Sequence, residues 1–132
     1  MGKWCDEGET NVGNIYLKNQ AQNAALYLGL YKDTTEPAET AILVGLTEPS
    51  GYGYARMALS PGDWAEGPQG TFVQPEKIFM PSGGAWGNVY GYFVCTVATG
   101  TAGKLLGVEH FSTPYNVQAG YALRISPEVA IG

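Results

Sequence analysis

Residues 88–97, Asn-Val-Tyr-Gly-Tyr-Phe-Val-Cys-Thr-Val, constrain the fold more than any other stretch. Read at period two, Val89, Gly91, Phe93, Cys95 and Val97 share one face, and Tyr90, Tyr92, Val94 and Thr96 share the other. Both faces are apolar or aromatic, so the run reads as a strand covered on both sides and central in its sheet. Turn formers bound it: Pro81-Ser82-Gly83-Gly84 before and Thr99-Gly100-Thr101-Ala102-Gly103 after.

Shorter runs repeat the pattern. Ala25–Tyr31 alternates Leu26, Leu28 and Leu30 against Tyr27, Gly29 and Tyr31, a half-buried strand stopped by Asp33-Thr34-Thr35-Glu36-Pro37. Asn14–Lys18, Thr40–Leu46, Tyr52–Leu59, Lys104–Phe111, Tyr121–Ile125 and Pro127–Ile131 read as further strands. Phe72–Met80 is a strand interrupted by Pro75, which places it at an edge or a bulge. No segment holds a helical period over ten residues; Asn19–Ala25 offers at most one helical turn. About eight short strands separated by Gly- and Pro-rich turns predict an all-β, antiparallel β-sandwich, jelly-roll-like in its connections. Met1–Gly13, with three glycines, mixed charge and one apolar anchor in Trp4, reads as an extended N-terminal arm, leaving 14–132 as one sandwich domain.

At 132 residues the length suits one domain. Charged residues make up 14% of the chain against roughly 25% in an average domain. With 45% hydrophobic residues, this argues against disorder. A net charge of -5 and seven scattered Lys and Arg make no stripe for nucleic acid, so none is expected as a partner. No apolar run approaches the roughly 20 residues of a membrane span, and no membrane association is expected. The first nine residues carry Asp6, Glu7 and Glu9 without an apolar core, unlike a secretory signal. Cys5 and Cys95 are too few for a disulfide scaffold. A single long-range bridge is geometrically conceivable, and two free thiols with Cys95 buried in a strand is the plainer reading.

A search for chemistry returns little. His110 has only Ser112 near it in sequence, without a nucleophile elbow. Two Cys and one His lack zinc spacing, and Asp6, Glu7 and Glu9 read as solvated tail charges. Gly51-Tyr52-Gly53 precedes a strand rather than a helix, so it lacks the geometry of a phosphate loop. No two of the twelve acids stand out as a glycosidase pair. The reading is a non-enzyme with no cofactor and no metal. The aromatics remain: Trp4, Trp64, Trp86, Tyr52, Tyr54, Tyr90 and Tyr92 are candidate interface residues. They compete with plain cross-strand pairing. Trp86 leads them, because it follows Gly83-Gly84-Ala85 and reads as loop-borne.

Leu28-Gly29-Leu30-Tyr31, Asp33–Pro37, Leu46-Thr47-Glu48-Pro49 with Gly51–Arg56, Trp86–Phe93 and Leu123–Glu128 carry a resemblance. Together they resemble small virion proteins of tailed bacteriophages, a group similar to capsid cement (decoration) proteins and to small tail-fibre or adaptor proteins. The resemblance covers about residues 25 to 131 and its motifs mark strands and turns, so it transfers no catalytic residue. It implies a structural protein made in the host cytoplasm and carried on the capsid surface. There it would be a homotrimer bridging copies of the major capsid protein. The alternative within the same resemblance is a tail-fibre, adaptor or receptor-binding module that recognises a host-surface glycan.

Overall fold

The computed structural model describes residues 3–22 and 25–130. Three expectations reach beyond them: the first two residues of the arm, residues 23 and 24 of the expected helical turn, and Ile131 of the last strand. The protein is an all-β sandwich of antiparallel sheets with one short helix. The strands are β1 (Lys3–Trp4), β2 (Leu26–Tyr31), β3 (Met57–Leu59), β4 (Ala65–Glu66), β5 (Thr71–Val73), β6 (Lys77–Phe79), β7 (Gly87–Cys95), β8 (Leu105–Val117), β9 (Leu123–Ile125) and β10 (Glu128–Ala130). The helix, α1, spans Asp6–Tyr16.

The main sheet runs β1-β8-β7-β2-β3, which puts β7 in the middle, as its two apolar faces require. Two smaller sheets, β10-β5-β4 and the ribbon β6-β9, supply residues to the opposite layer. Between the layers lies the principal core: Leu28, Leu30, Tyr92, Val94 and Leu106 of the main sheet meet Phe79, Trp86, Leu123, Ile125 and Val129. The reverse face of the main sheet carries a second apolar cluster of Tyr31, Phe93, Cys95, Leu105 and Val108, roofed by Leu43. Tyr92 pins the layers together. Its hydroxyl accepts from the Glu128 amide (2.9 Å) and lies 3.2 Å from the Glu128 carbonyl oxygen.

The predicted faces of β2 hold: Leu28 and Leu30 enter the first cluster, Tyr31 the second. Those of β7 hold only from Tyr92 onward. A bulge lies between Val89 and Gly91, where Tyr90 alone opposes Phe111–Pro114 of β8. One step of alternation is lost there, so Val89 joins Tyr92 and Val94 rather than Phe93. The same excursion carries β8 through Pro114 to Val117, past the predicted end at Phe111.

Other expectations are corrected. Residues 3–13 are not an extended arm. Lys3 and Trp4 pair with Val108 and Gly107, and α1 follows directly. The expected strand Asn14–Lys18 is therefore the end of α1, and residues 19–22 and 25 are not helical. With Gly8, Asn11, Gly13 and Asn14, α1 has poor intrinsic propensity, so docking holds it. Gly8 lies so close to the Leu106 carbonyl that a β-carbon has no room. The Cys5 amide donates to the Leu106 carbonyl (2.8 Å), and Glu7 accepts from the Leu105 amide (3.0 Å). Asp6, Glu7 and Glu9 stand in the first turn, where acidic charge favours the helix dipole; they are not loose tail charges.

Thr40–Leu46 is not a strand. Only a single 3₁₀ turn, Leu43–Gly45, forms there; it buries Leu43 and leaves Ile42 and Val44 exposed. Tyr52–Leu59 is strand only from Met57, because Gly51, Tyr52 and Gly53 all have positive φ and form a turn. Phe72–Met80 divides at Pro75 into β5 and β6, which belong to different sheets, so the proline marks a corner rather than a bulge.

Candidate interaction surface

The seven aromatics do not form one surface. Trp4, Trp86 and Tyr92 are buried in the principal core. Tyr54 is partly buried against the same cluster, and Tyr90 against the second. Trp64 is half-buried, and Tyr52 is exposed. Trp86, the leading candidate, is 4% exposed. Gly87 has φ 78°, and the turn it makes tips the indole inward, where its N–H donates to the Gly51 carbonyl (3.0 Å). The ring meets Tyr54 and Phe79 edge-on at centroid distances of 5.4 and 6.4 Å. A residue beside a Gly-rich turn is loop-borne in sequence yet core-facing in space.

Tyr54 belongs to a polar clamp that sequence reasoning missed. Its hydroxyl donates to Glu48 Oε1 (2.7 Å) and accepts from the Leu30 amide (3.0 Å). Arg56 grips the same carboxylate with two bonds of 3.0 and 2.8 Å. It also donates to the carbonyls of Val97 (3.0 Å) and Gly100 (2.8 Å) in the β7–β8 turn. Its guanidinium sits 5.4 Å above the Phe93 ring. Hydrogen bonding to Glu48 holds the guanidinium pKa above its usual value against the opposing effect of burial. The only sequence signal was an arginine in a chain with few charges.

His110 makes no catalytic pair. It stacks with Tyr31 and Tyr90 at centroid distances of 5.8 and 6.2 Å, with Nδ1 2.8 Å from the Tyr31 hydroxyl. Among the described residues, no three His, Cys, Asp or Glu side chains gather as metal ligands would. No helix among them is long and apolar enough to cross a membrane.

Cys5 and Cys95 are buried free thiols of the second cluster. Cys5 follows β1 and Cys95 ends β7, with β8 between them. Two strand spacings of roughly 4.8 Å exceed the ~7 Å Cα limit for a bridge. Burial pushes the Cys5 thiol up to about 11 and raises that of Cys95. Burial likewise raises Tyr31, Tyr54 and Tyr92 above the usual phenol range. All five groups must stay protonated in the fold. The Cys5 contribution to stability is complete below the ordinary thiol value of 9.0 and is lost as the pH climbs toward 11, while that of the three tyrosines is complete below the ordinary phenol value of 10.0 and is lost only above it. Urea midpoints are therefore expected to be flat from about pH 7 to 9 and to fall above that. Thiol reagents at about pH 8 should label neither cysteine until the chain is unfolded. Rapid native labelling would refute the burial argument.

A cleft of about 300 Å³ lies between α1 and the sandwich. Val12 and Ile15 of α1 form one wall, Leu26 and Leu59 of the main sheet the floor, and Trp64 and Phe72 the opposite wall. Of the predicted aromatics, only Trp4 and Trp64 reach it. Among the described residues its lining includes no acid or base, so it can take apolar groups and these residues offer no proton transfer.

Residues 3–129 match the family described as Podophage GP4 fiber I protein gp80. No curated protein matches the chain.

Proposed function

The chain belongs to the Podophage GP4 fiber I protein gp80 family, a family of fibre-type structural proteins of tailed phages, and from that premise we propose that it is a non-enzymatic building block of the virion's tail fibres. The observation that carries this reading is the extent of the match, which takes in the edge strand, the helix and nearly the whole sandwich. The cleft's lack of titratable side chains supports a structural rather than a catalytic role. The burial of Trp4, Trp86 and Tyr92 supports it over glycan recognition, since sugar stacking needs exposed rings. As a virion component it acts as a symmetric homo-oligomer, a trimer by the resemblance, whose partners are other virion proteins.

The capsid-cement role shares this fold and structural character, but it places the protein on the head, in contact with the major capsid protein. Antibody labelling of intact virions, viewed by negative-stain electron microscopy, separates the two. Label confined to the tail is the expected result. Label spread over the head would replace the fibre reading with the cement role.

A further inference from the structure

The C-terminal end of α1 leaves two large apolar side chains in solvent. Gly8 packs on Leu106, and Val12 and Ile15 face the cleft, so the inward side of the helix is used up. Tyr16 and Leu17 follow, 83% and 80% exposed, the highest values among the exposed large apolar side chains of the described residues. Two such neighbours are more than scattered surface hydrophobes and mark a contact. Beside them lies the cleft, mostly apolar apart from Asn11 and Gln22 and at the small end of the roughly 300–1,000 Å³ range of ligand pockets. That volume suits one or two side chains better than a cofactor. Tyr16 and Leu17 cannot fill the cleft of their own chain, because Ile15 already forms its wall while they stand in solvent.

We propose that the cleft seats Tyr16 and Leu17 of a second copy of this chain, in a closed assembly where every copy gives one such plug and receives one. The area argues for closure. An inserted Tyr buries roughly 150–250 Å². With the adjacent Leu and the walls covered in return, one insertion removes roughly 500 Å² from water, below the ~1,000 Å² of a stable interface. Giving and receiving doubles that for each chain. Plug and cleft share one helix, so a symmetry axis passing near its C-terminal end satisfies both at once, either as a reciprocal pair or as a small ring. The contact stands on this geometry and does not depend on where the protein sits in the virion.

Light scattering after size-exclusion chromatography tests it, comparing the full chain with a variant carrying Tyr16→Asp and Leu17→Asp together. Both side chains are exposed in the protomer, so the variant should keep its circular dichroism and unfold cooperatively, with the urea midpoint of the wild type diluted to monomer. The expected wild-type mass is two or three times 14.0 kDa, falling to one copy in the variant. Tryptophan emission should also shift to the red when the wild type is diluted to monomer, because Trp4 and Trp64 line the cleft. A wild type that is still monomeric at about 1 mM, where even a millimolar contact would be substantially formed, overturns the proposal. So does an assembly that the double variant leaves intact.

Discussion

Arg56→Ala is expected to lower the free energy of unfolding by about 3 kcal/mol, which for a chain of this size brings the melting temperature down by roughly 10 °C. The arginine side chain is 4% exposed and its partner Glu48 24%. Removing the cation leaves a half-buried carboxylate with only the Tyr54 hydroxyl, and leaves the Val97 carbonyl with only the weak Cys95 thiol donor, while the exposed Gly100 carbonyl turns to water. It also uncovers one face of Phe93, whose ring tip lies so close on Gly29 that a β-carbon there has no room. Arg56→Lys is not expected to rescue, because one ammonium cannot make the paired bonds to the carboxylate while also reaching two carbonyls. Glu48→Gln, which keeps an acceptor for both partners, should cost less than half as much. Urea unfolding followed by tryptophan fluorescence decides the matter. A loss under about 1 kcal/mol would mean that Arg56 behaves as an ordinary surface pair.

That clamp also shows what the sequence could and could not reveal. Arg56 lies in the segment read as the Tyr52–Leu59 strand, but its partners come from a loop eight residues back and from a turn more than forty residues on. Such a contact leaves no periodic trace. The elements that were legible, β2 and β7, carry their own evidence in alternating side chains. Even there the reading failed at Tyr90, since a bulge is set by how many residues the partner strand supplies, and Phe111–Pro114 are supplied by β8. Helix α1 was missed because only Val12 and Ile15 give it an apolar face while two glycines lower its propensity. Its stability comes from a glycine lying on a strand backbone. The acidic first turn, Asp6-Glu7-Gly8-Glu9, was the one local clue. The cleft was not foreseen, because its lining comes from eight separate elements and the loops between them; Trp4 and Trp64 were legible only as candidate interface aromatics.

Trp86→Ala carries the other large expectation, a loss of about 3–5 kcal/mol. A loop-borne tryptophan at a Gly-Gly turn reads as a contact point for a partner, and that reading predicts lost assembly with unchanged stability. The structure requires the opposite order of effects. The indole fills the space between Tyr54, Phe79 and the main sheet, and its truncation leaves a cavity that the turn, held by Ser82 N–H to the Tyr52 carbonyl (3.0 Å) and Trp86 N–H to the Val117 carbonyl (2.9 Å), cannot collapse to fill. Trp86→Phe keeps most of the packing and removes the N–H bond to the Gly51 carbonyl. Gly51 is exposed, so water can take over as donor, and the cost should fall to about 1–2 kcal/mol. Urea midpoints ordered wild type, Phe, Ala, with subunit mass unchanged while each variant remains folded, are the expected result. If the alanine variant instead kept its midpoint and lost its assembly, Trp86 would be a contact residue, and the interface would have to be moved from the α1 cleft to the Gly83-Gly84 turn.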